Sequence, residues 1–409
     1  MTDQIALVLG GTSPHVELIN KLKQRGYYVI LVDYLNNSPG IAAADQHIPE
    51  STLDREKVLQ IAKETRASLV ISTCIDQANS VCCYVAEQLG LPHPYSYQTS
   101  LDVTDKGRMK RIMTEYGIST SPYTLTTSVE GIDWDKVAFP AVVKPVDCNS
   151  SKGVHRADSR EEVLRFVEEA LSLSRTGYAI IEGFNEGDEI QVDCFAGQDG
   201  AQVLMTRQKK KIHGGNGMVL QSTGSIVPAT LSEAEDAQTK EIASGIAKAF
   251  GLKNTPFFYQ AIRTANGISV LEFAPRIGGG LSYYMLRNIA GVDSVEIAIN
   301  SFLGVESDVK ARAVERHYST NLLYMKPGVF DHLEGVDELK AEGVIYESFQ
   351  MKKSGTEIDS DLRSGNRVAA FIVEADSPAA VREKEKQAYR RIRVVDAQGN
   401  DALNREVNF

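Results

Sequence analysis

A chain of 409 residues has room for roughly two to four domains, and its 43% hydrophobic and 24% charged residues are those of an ordinary globular protein. The formal net charge of −10 offers nucleic acid no basic face, and no apolar run approaches the roughly 18 residues that cross a bilayer. The five cysteines (Cys74, Cys82, Cys83, Cys148, Cys194) are odd in number and lack a CxxC or zinc spacing. With a first strand starting within a few residues of Met1, a reduced, cytoplasmic protein is expected.

Residues 4–103 alternate strand and helix. "QIALVLGG" and "YYVILVD" are buried strands with a helix from Pro14 to about Arg25 between them; "ASLVIST" is a further strand, and a helix from about Gln77 to Leu89 follows it. Such alternation builds a parallel, Rossmann-like sheet. In the first turn, "GGTSPH", Ser13 suits an N-cap and Pro14 the first helical position. A helix start after a glycine pair is an anion pocket, here offered by Gly11, Thr12 and Ser13. The loop "TCIDQAN", with Asp76, lines the same acceptor site. Asp33 ends the second strand, where a dinucleotide fold puts its ribose-binding acid. The Gly-x-Gly-x-x-Gly pattern is absent, however: from Gly10 the third and sixth positions are Thr12 and His15.

From about Thr104 the pattern changes. "TDKGRMKRIMTEYGI" reads as a basic helix. In "FPAVVKPVDCNSSKGVHRA", Lys144 ends an apolar strand, and Ser150, Ser151, Lys152 and Gly153 form a small-residue turn able to wrap phosphates. It is not a Walker loop, since no GxxxxGK[ST] opens a helix. A helix over residues 159–172 precedes "YAIIEGFNEGDEIQVDCFA". There Glu182 ends an apolar run, Gly183 and Phe184 can offer backbone amides and a ring to a purine, and Glu189 can accept from ribose hydroxyls. "RQKKKIHGGNG" reads as a basic turn, a solvated charge run or a phosphate-contacting lid. His155 and His213 have no assigned role. From about residue 306 a third region mixes strand and helix and ends in a helix over 377–390.

"TPFFYQAIRTANGISVLEFAPRIGGG" carries the sharpest signal. Two strands flank a three-residue turn, Ala265-Asn266-Gly267, which places Gln260 opposite Glu272. Two oxygen ligands facing one way suit Mg²⁺ shared with a nucleotide. Arg276, at the strand end, offers a planar fork for carboxylate or phosphate, and Gly278, Gly279 and Gly280 let backbone approach a ligand.

The order Lys106, Lys144, SSKG, Glu182/Glu189, Gln260, Glu272, Arg276 resembles the ATP-grasp superfamily of carboxylate–amine ligases, which includes biotin carboxylase and the carbamoyl-phosphate synthetase large subunit. The resemblance spans the chain. It implies an α/β and α+β protein with a Rossmann-like pre-ATP-grasp domain over 1–103, a two-lobed ATP-grasp domain over 104–305 and a small C-terminal α+β domain over 306–409. It implies ATP and Mg²⁺ as cofactors and an acyl-phosphate route from a small carboxylate and an amine, with no nucleic-acid or membrane partner and a homodimer left open. Lys106 and Lys144 would contact phosphates, residues 150–153 would cover them, 182–184 would hold the adenine and Glu189 the ribose. Gln260 and Glu272 would hold the metal. Glu272 and Arg276 would be catalytic, and Arg276 with Gly278 and Gly279 would orient the carboxylate.

One departure stands out. The family's Glu-x-Asn-x-Arg is here Glu272-Phe273-Ala274-Pro275-Arg276, without the asparagine ligand. A similar alanine occurs in purine-pathway carboxyaminoimidazole synthetases, but their histidine-rich continuation is replaced by Ile277 and three glycines. A carboxylase of that kind, and a nucleotide-binding regulator without ligase chemistry, are the alternatives.

Overall fold

The computed structural model describes residues 4–148, 152–212, 221–360 and 364–408. It is a mixed α/β chain with several sheets. In chain order the first elements are β1 (Ile5–Leu9), α1 (Ser13–Gln24), β2 (Tyr28–Val32), β3 (Gln46–Ile48), α2 (Arg55–Thr65), β4 (Leu69–Ile71), α3 (Asp76–Leu89), α4 (Tyr97–Thr104) and α5 (Lys106–Glu115). Then come β5 (Tyr123–Thr126), β6 (Ala141–Pro145), β7 (His155–Ala157), α6 (Arg160–Leu173), β8 (Ala179–Gly183), β9 (Asp188–Ala196), β10 (Ala201–Lys211), β11 (Ser222–Val227), α7 (Glu233–Ala249), β12 (Thr255–Thr264) and β13 (Gly267–Ala274). The last stretch holds α8 (Ser282–Met285), α9 (Ser294–Leu303), β14 (His317–Tyr324), β15 (Gly328–Glu334), α10 (Val336–Ala341), β16 (Glu347–Gln350), β17 (Thr356–Ile358), β18 (Arg367–Ala375), α11 (Pro378–Arg391), β19 (Arg393–Asp396) and α12 (Arg405–Asn408).

By contacts the chain divides into two compact units. The first is Met1–Ser121, Gln191–Met205 and Leu231–Ala313; the second is Pro122–Ile190, Thr206–Thr230 and Val314–Phe409. In the first unit, β3-β2-β1-β4 form a parallel sheet. Its strands are apolar on both faces because helices cover both, as a crossover topology requires. Leu7, Leu9, Leu18, Leu22, Leu31 and Ile71 are fully buried there, and Ile299 and Phe302 of α9 join the same core. The strand order turns at β1, with β2 on one side and β4 on the other, so the loops after β1 and β4 open beside each other. This unit also holds the order β13-β12-β9-β10.

The second unit contains the antiparallel sheet β5-β8-β6-β7, packed on α6 through Val143, Val163, Val167 and Ile181. It also contains β10-β11-β14-β18-β16 and the small sheet β17-β15-β19. Leu323, Phe330, Phe371, Tyr389 and Val394 form a core around them.

Local chemistry explains most element starts. The helices expected over 159–172 and 377–390 are α6 and α11, and Ser159 and Ser377 are their N-caps, each side chain accepting a backbone amide inside its helix. At α1 the expectation is corrected: Thr12 is the N-cap residue and Ser13 already lies in the helix, with Pro14 second. Thr12 makes no side-chain cap bond, because its hydroxyl is engaged with His15. "RQKKK" is corrected too. It is the end of strand β10, not a turn, because it pairs in antiparallel register with β11. The five cysteines are unpaired with one another, and no helix among the described residues is long and apolar enough to cross a membrane.

Candidate functional site

The β12–β13 hairpin sets the first group of side chains. Thr264 pairs directly with Gly267, so the turn has two residues, Ala265 and Asn266, and Gly267 opens β13 with φ 111°. That conformation favours glycine. Counting back from this turn, Ala261 meets Val270, and Gln260 would then face Leu271. Instead the register shifts between Gln260 and Ala261, Leu271 becomes the extra residue of a bulge, and Gln260 pairs with Glu272. The next pair along the same face is Phe258 and Ala274. Where the family pattern has an asparagine, this chain therefore has a buried alanine against a phenyl ring. The Arg276 guanidinium lies over that ring, 5.1 Å from its centroid.

Arg276 is committed to Asp76. Its Nε and Nη2 donate to the two Asp76 oxygens at 2.6 Å each, and Nη1 donates to the Ile277 carbonyl at 2.9 Å. The pair is mostly buried, with side chains 14% and 19% exposed. Burial pulls the Arg276 pKa down, but the Asp76 carboxylate outweighs it and the net direction is up. Glu272, by contrast, is 42% exposed and reaches Lys106 Nζ at 3.6 Å. Lys106 starts α5, which Asp105 caps through the Arg108 amide. Gly278 is buried beside Ser282 and Gln191, while Gly279 is exposed with nothing near its Cα on the side-chain face. The structure thus brings Gln260, Glu272 and Lys106 together, and Arg276 with Asp76.

The loops after β1 and β4 make the second group. Gly11 donates its amide to Asp33 Oδ2 at 2.8 Å, and Leu35 donates to Asp33 Oδ1 at 3.0 Å. The Asp33 carboxylate therefore ties two loops together, so the dinucleotide comparison does not extend to its role. Ser72 donates to the Leu9 carbonyl at 2.7 Å and so accepts from His15 Nε2 at 3.1 Å. His15 Nδ1 then accepts from the Thr12 hydroxyl at 2.8 Å. Burial lowers the His15 pKa to about 4, which keeps this ring neutral near pH 7. Cys74 Sγ sits 3.4 Å from Thr12 Oγ1, and burial raises the thiol pKa. Thr12 and the loop before Asp76 are thereby neighbours, while Ser13 enters the helix beside them.

In the second unit Lys144 and Glu182 form a buried ion pair at 3.0 Å, 7% and 3% exposed. Gly183 and Phe184 donate their amides to the carbonyls of Pro122 and Pro140, both at 2.9 Å, so those two amides are already occupied by the fold. The Arg156 guanidinium covers the Phe184 ring at 4.6 Å. Glu189 pairs with Lys211 at the end of β10. Lys152 is exposed and Gly153 half-buried; Ser150, Ser151 and His213 lie outside the described residues. His155 stacks on Phe166 at 4.3 Å and meets Glu169 at 3.0 Å, an arrangement that assigns it to α6. Sequence reasoning missed Lys211 and His15. The first was legible as the alternate of Lys210 on a strand, once "VLMTRQKKK" is read with period two; the second had no signal beyond its place in the turn.

Residues 137–283 match the ATP-grasp domain, and residues 321–397 match the L-amino acid ligase C-terminal domain 2. The chain is 27% identical over 264 residues to a formate-dependent phosphoribosylglycinamide formyltransferase of Rhodococcus jostii, covering 60% of this chain and 62% of that one. It is 23% identical over 304 residues to the arginine-specific carbamoyl phosphate synthase large chain of Eremothecium gossypii, covering 71% of this chain and 26% of that one. It therefore spans less than two thirds of the length of both relatives. An L-amino acid ligase from Bacillus licheniformis has the same fold, with a TM-score of 0.80 at 18% identity over 97% of this chain and 99% of that one. The chain carries an ATP-grasp domain followed by an L-amino acid ligase C-terminal domain.

Proposed function

We propose that this protein is an ATP-dependent ligase joining a carboxylate to an amine through an acyl phosphate. The observation that carries the reading is the β12–β13 hairpin, which sets Gln260 against Glu272, Lys106 against Glu272, and the Arg276–Asp76 pair just beyond the strand end. A carboxylate oxygen attacks the γ-phosphorus of ATP and the bond to ADP breaks. The amine then attacks the acyl carbon, phosphate leaves, and the amine gives up a proton. Alignment and charge stabilisation are the protein's share of this work.

Each residue has a distinct task in this scheme. Lys106 and Lys144 hold phosphate, with Ser150, Ser151, Lys152 and Gly153 as its cover. Glu182, Gly183 and Phe184 flank the adenine, and Glu189 takes the ribose. Gln260 and Glu272 would hold Mg²⁺. Among the described residues no group of three or more His, Cys, Asp or Glu side chains could hold a metal by itself. One carboxylate and one amide fit Mg²⁺ that keeps water and shares nucleotide oxygens, and the ion would supply charge neutralisation there. The division at 103/104 and 305/306 is part of the same reading.

The substrate acid we favour is an α-amino acid. A zwitterion can enter the Arg276–Asp76 pair with its carboxylate on the fork and its ammonium on the aspartate, keeping both buried charges paired. The L-amino acid ligase match of residues 321–397 supports this choice. Gly11, Thr12, Ser13 and exposed Gly279 line the acceptor side, and Gly278 keeps the backbone close. The second reading, a nucleotide-binding regulator, is favoured by Ala274 and neutral Gln260. Hydroxylamine trapping across amino acids and sugar acids, with ADP and phosphate measured in parallel, separates the two. A ligase yields hydroxamate and ADP in equal amounts with at least one amino acid; ADP release at background with every acid overturns the proposal.

A further inference from the structure

Lys210 lies one residue before Lys211, and the two point to opposite faces of β10, as neighbours on a strand must. Its ammonium has three N–H donors, and all three are used within one polar cluster. Nζ donates to Asn321 Oδ1 at 2.6 Å, to Glu385 Oε1 at 2.6 Å and to Ser319 Oγ at 3.0 Å. The Ser319 hydroxyl also donates to Glu385, and the Tyr389 hydroxyl donates to Asn321 Oδ1 at 3.1 Å. Ser319 and Asn321 are fully buried on β14, and Glu385 and Tyr389 come from α11. Between the lysine and β14 runs β11, where Gly224 clears the way: a Cβ there would meet the Thr320 carbonyl oxygen at 1.9 Å and Lys210 Cε at 3.0 Å.

Nothing in the proposed chemistry needs a half-buried lysine, 23% exposed, in this place. An ion pair of this kind costs desolvation and stabilises less than apolar packing of the same volume, so its value lies in fixing geometry. The register of β10 against β11 shifts between Lys210 and Lys211. The extra residue is Thr223 on β11, so β10 itself runs on without interruption and carries the next side chain, Lys211, to the opposite face, where it meets Glu189. Side-chain exposures of 27% for Lys211 and 11% for Glu189 leave their pair reachable from solvent on one side.

We propose that Lys210, held by Glu385, Asn321 and Ser319, is a positioning residue that pins the end of β10 to α11 and so sets Lys211 against Glu189 in the nucleotide site. The C-terminal region then acts on nucleotide binding through this anchor. The inference rests on the reading of Glu189 as a nucleotide contact.

The test is a double-mutant cycle on the full chain, with Mg·ADP affinity measured by calorimetry and folding by urea unfolding. Lys211→Ala weakens Mg·ADP roughly tenfold, the loss of one charged contact. Lys210→Met weakens it by a similar factor, and the double variant is no weaker than Lys211→Ala alone, because both act through Lys211. Where Lys210→Met does not fold, Glu385→Gln, which keeps shape and hydrogen bonding, takes its place in the cycle. Steady-state kinetics then show KM for ATP rising more than kcat falls. A folded anchor variant with unchanged Mg·ADP affinity, or a double variant whose loss is the product of the two single losses, overturns the proposal while leaving the nucleotide role of Glu189 standing. Unchanged affinity in Lys211→Ala removes that role and the proposal with it.

Discussion

Glu272→Gln and Arg276→Lys should fail in opposite ways, and the geometry says by how much. Glu272 is 42% exposed and 3.6 Å from Lys106, so its ion pair is screened and contributes about 0.5 kcal/mol or less. The amide keeps the shape of the acid, and folding stability should hardly change. Metal binding should change a great deal. A divalent ion about 3 Å from a unit charge in a water-like dielectric gains roughly 3 kcal/mol, on the order of a hundredfold in affinity. The Mg²⁺ concentration for half-maximal ADP release should rise accordingly, and high Mg²⁺ should restore turnover. Arg276→Lys reverses the pattern. Lysine can keep one of the two 2.6 Å bonds to Asp76, and the side chains are only 14% and 19% exposed, so the lost charged bond costs about 2 kcal/mol of stability. The kcat for acyl-phosphate formation should fall as well, and Mg²⁺ should not rescue it. Urea unfolding and Mg²⁺ titrations of the two variants beside wild type decide the matter. Titrations that overlay with wild type for Glu272→Gln would show that the metal is held elsewhere and refute the role given to this hairpin.

Lys144→Ala should be more damaging than a solvent-facing lysine would suggest, since it removes the ammonium paired with a glutamate only 3% exposed; up to about 3 kcal/mol of stability should go. The double variant Lys144→Met/Glu182→Leu should recover most of that stability and none of the ADP affinity, and normal ADP binding in its calorimetry would take Lys144 out of the nucleotide site. His15 should tilt the pH–stability curve. Its pKa is about 4 when folded against 6.5 unfolded, so the unfolded chain binds the extra proton between those values. The stability is fully present above pH 6.5 and is lost as pH falls toward 4, by about 3 kcal/mol in all. His15→Gln should flatten that slope in urea titrations run at several pH values, and an unchanged slope would remove burial of a neutral His15 as its cause.

The sequence makes the pairing of Gln260 with Glu272 legible, yet the route to it was wrong. A three-residue turn at Ala265-Asn266-Gly267 gives that pairing, and so does a two-residue turn followed by one extra residue at Leu271, which is what the chain adopts. The two solutions agree because side chains alternate with period two: one residue moved out of the turn must reappear within the strand if both acid and amide are to stay on one face. Turn chemistry alone could not choose between them, since glycine at 267 serves either. The helices were legible for a simpler reason. Serines at 159 and 377 sit before amphipathic runs and cap through short local bonds, which sequence contains in full. The Arg276–Asp76 and Lys210–Glu385 pairs join residues 200 and 175 positions apart. Neither partner announces the other, because an isolated acid or base reads as surface until topology supplies its complement. "RQKKK" shows the consequence most plainly. As composition it is a solvated charge run; as a strand, its last two lysines are placed back to back, one toward the half-buried Glu385 carboxylate on α11 and one toward Glu189. Reading the tract required knowing that β14 lies beyond β11 in the same sheet, and β14 sits more than a hundred residues away in the chain.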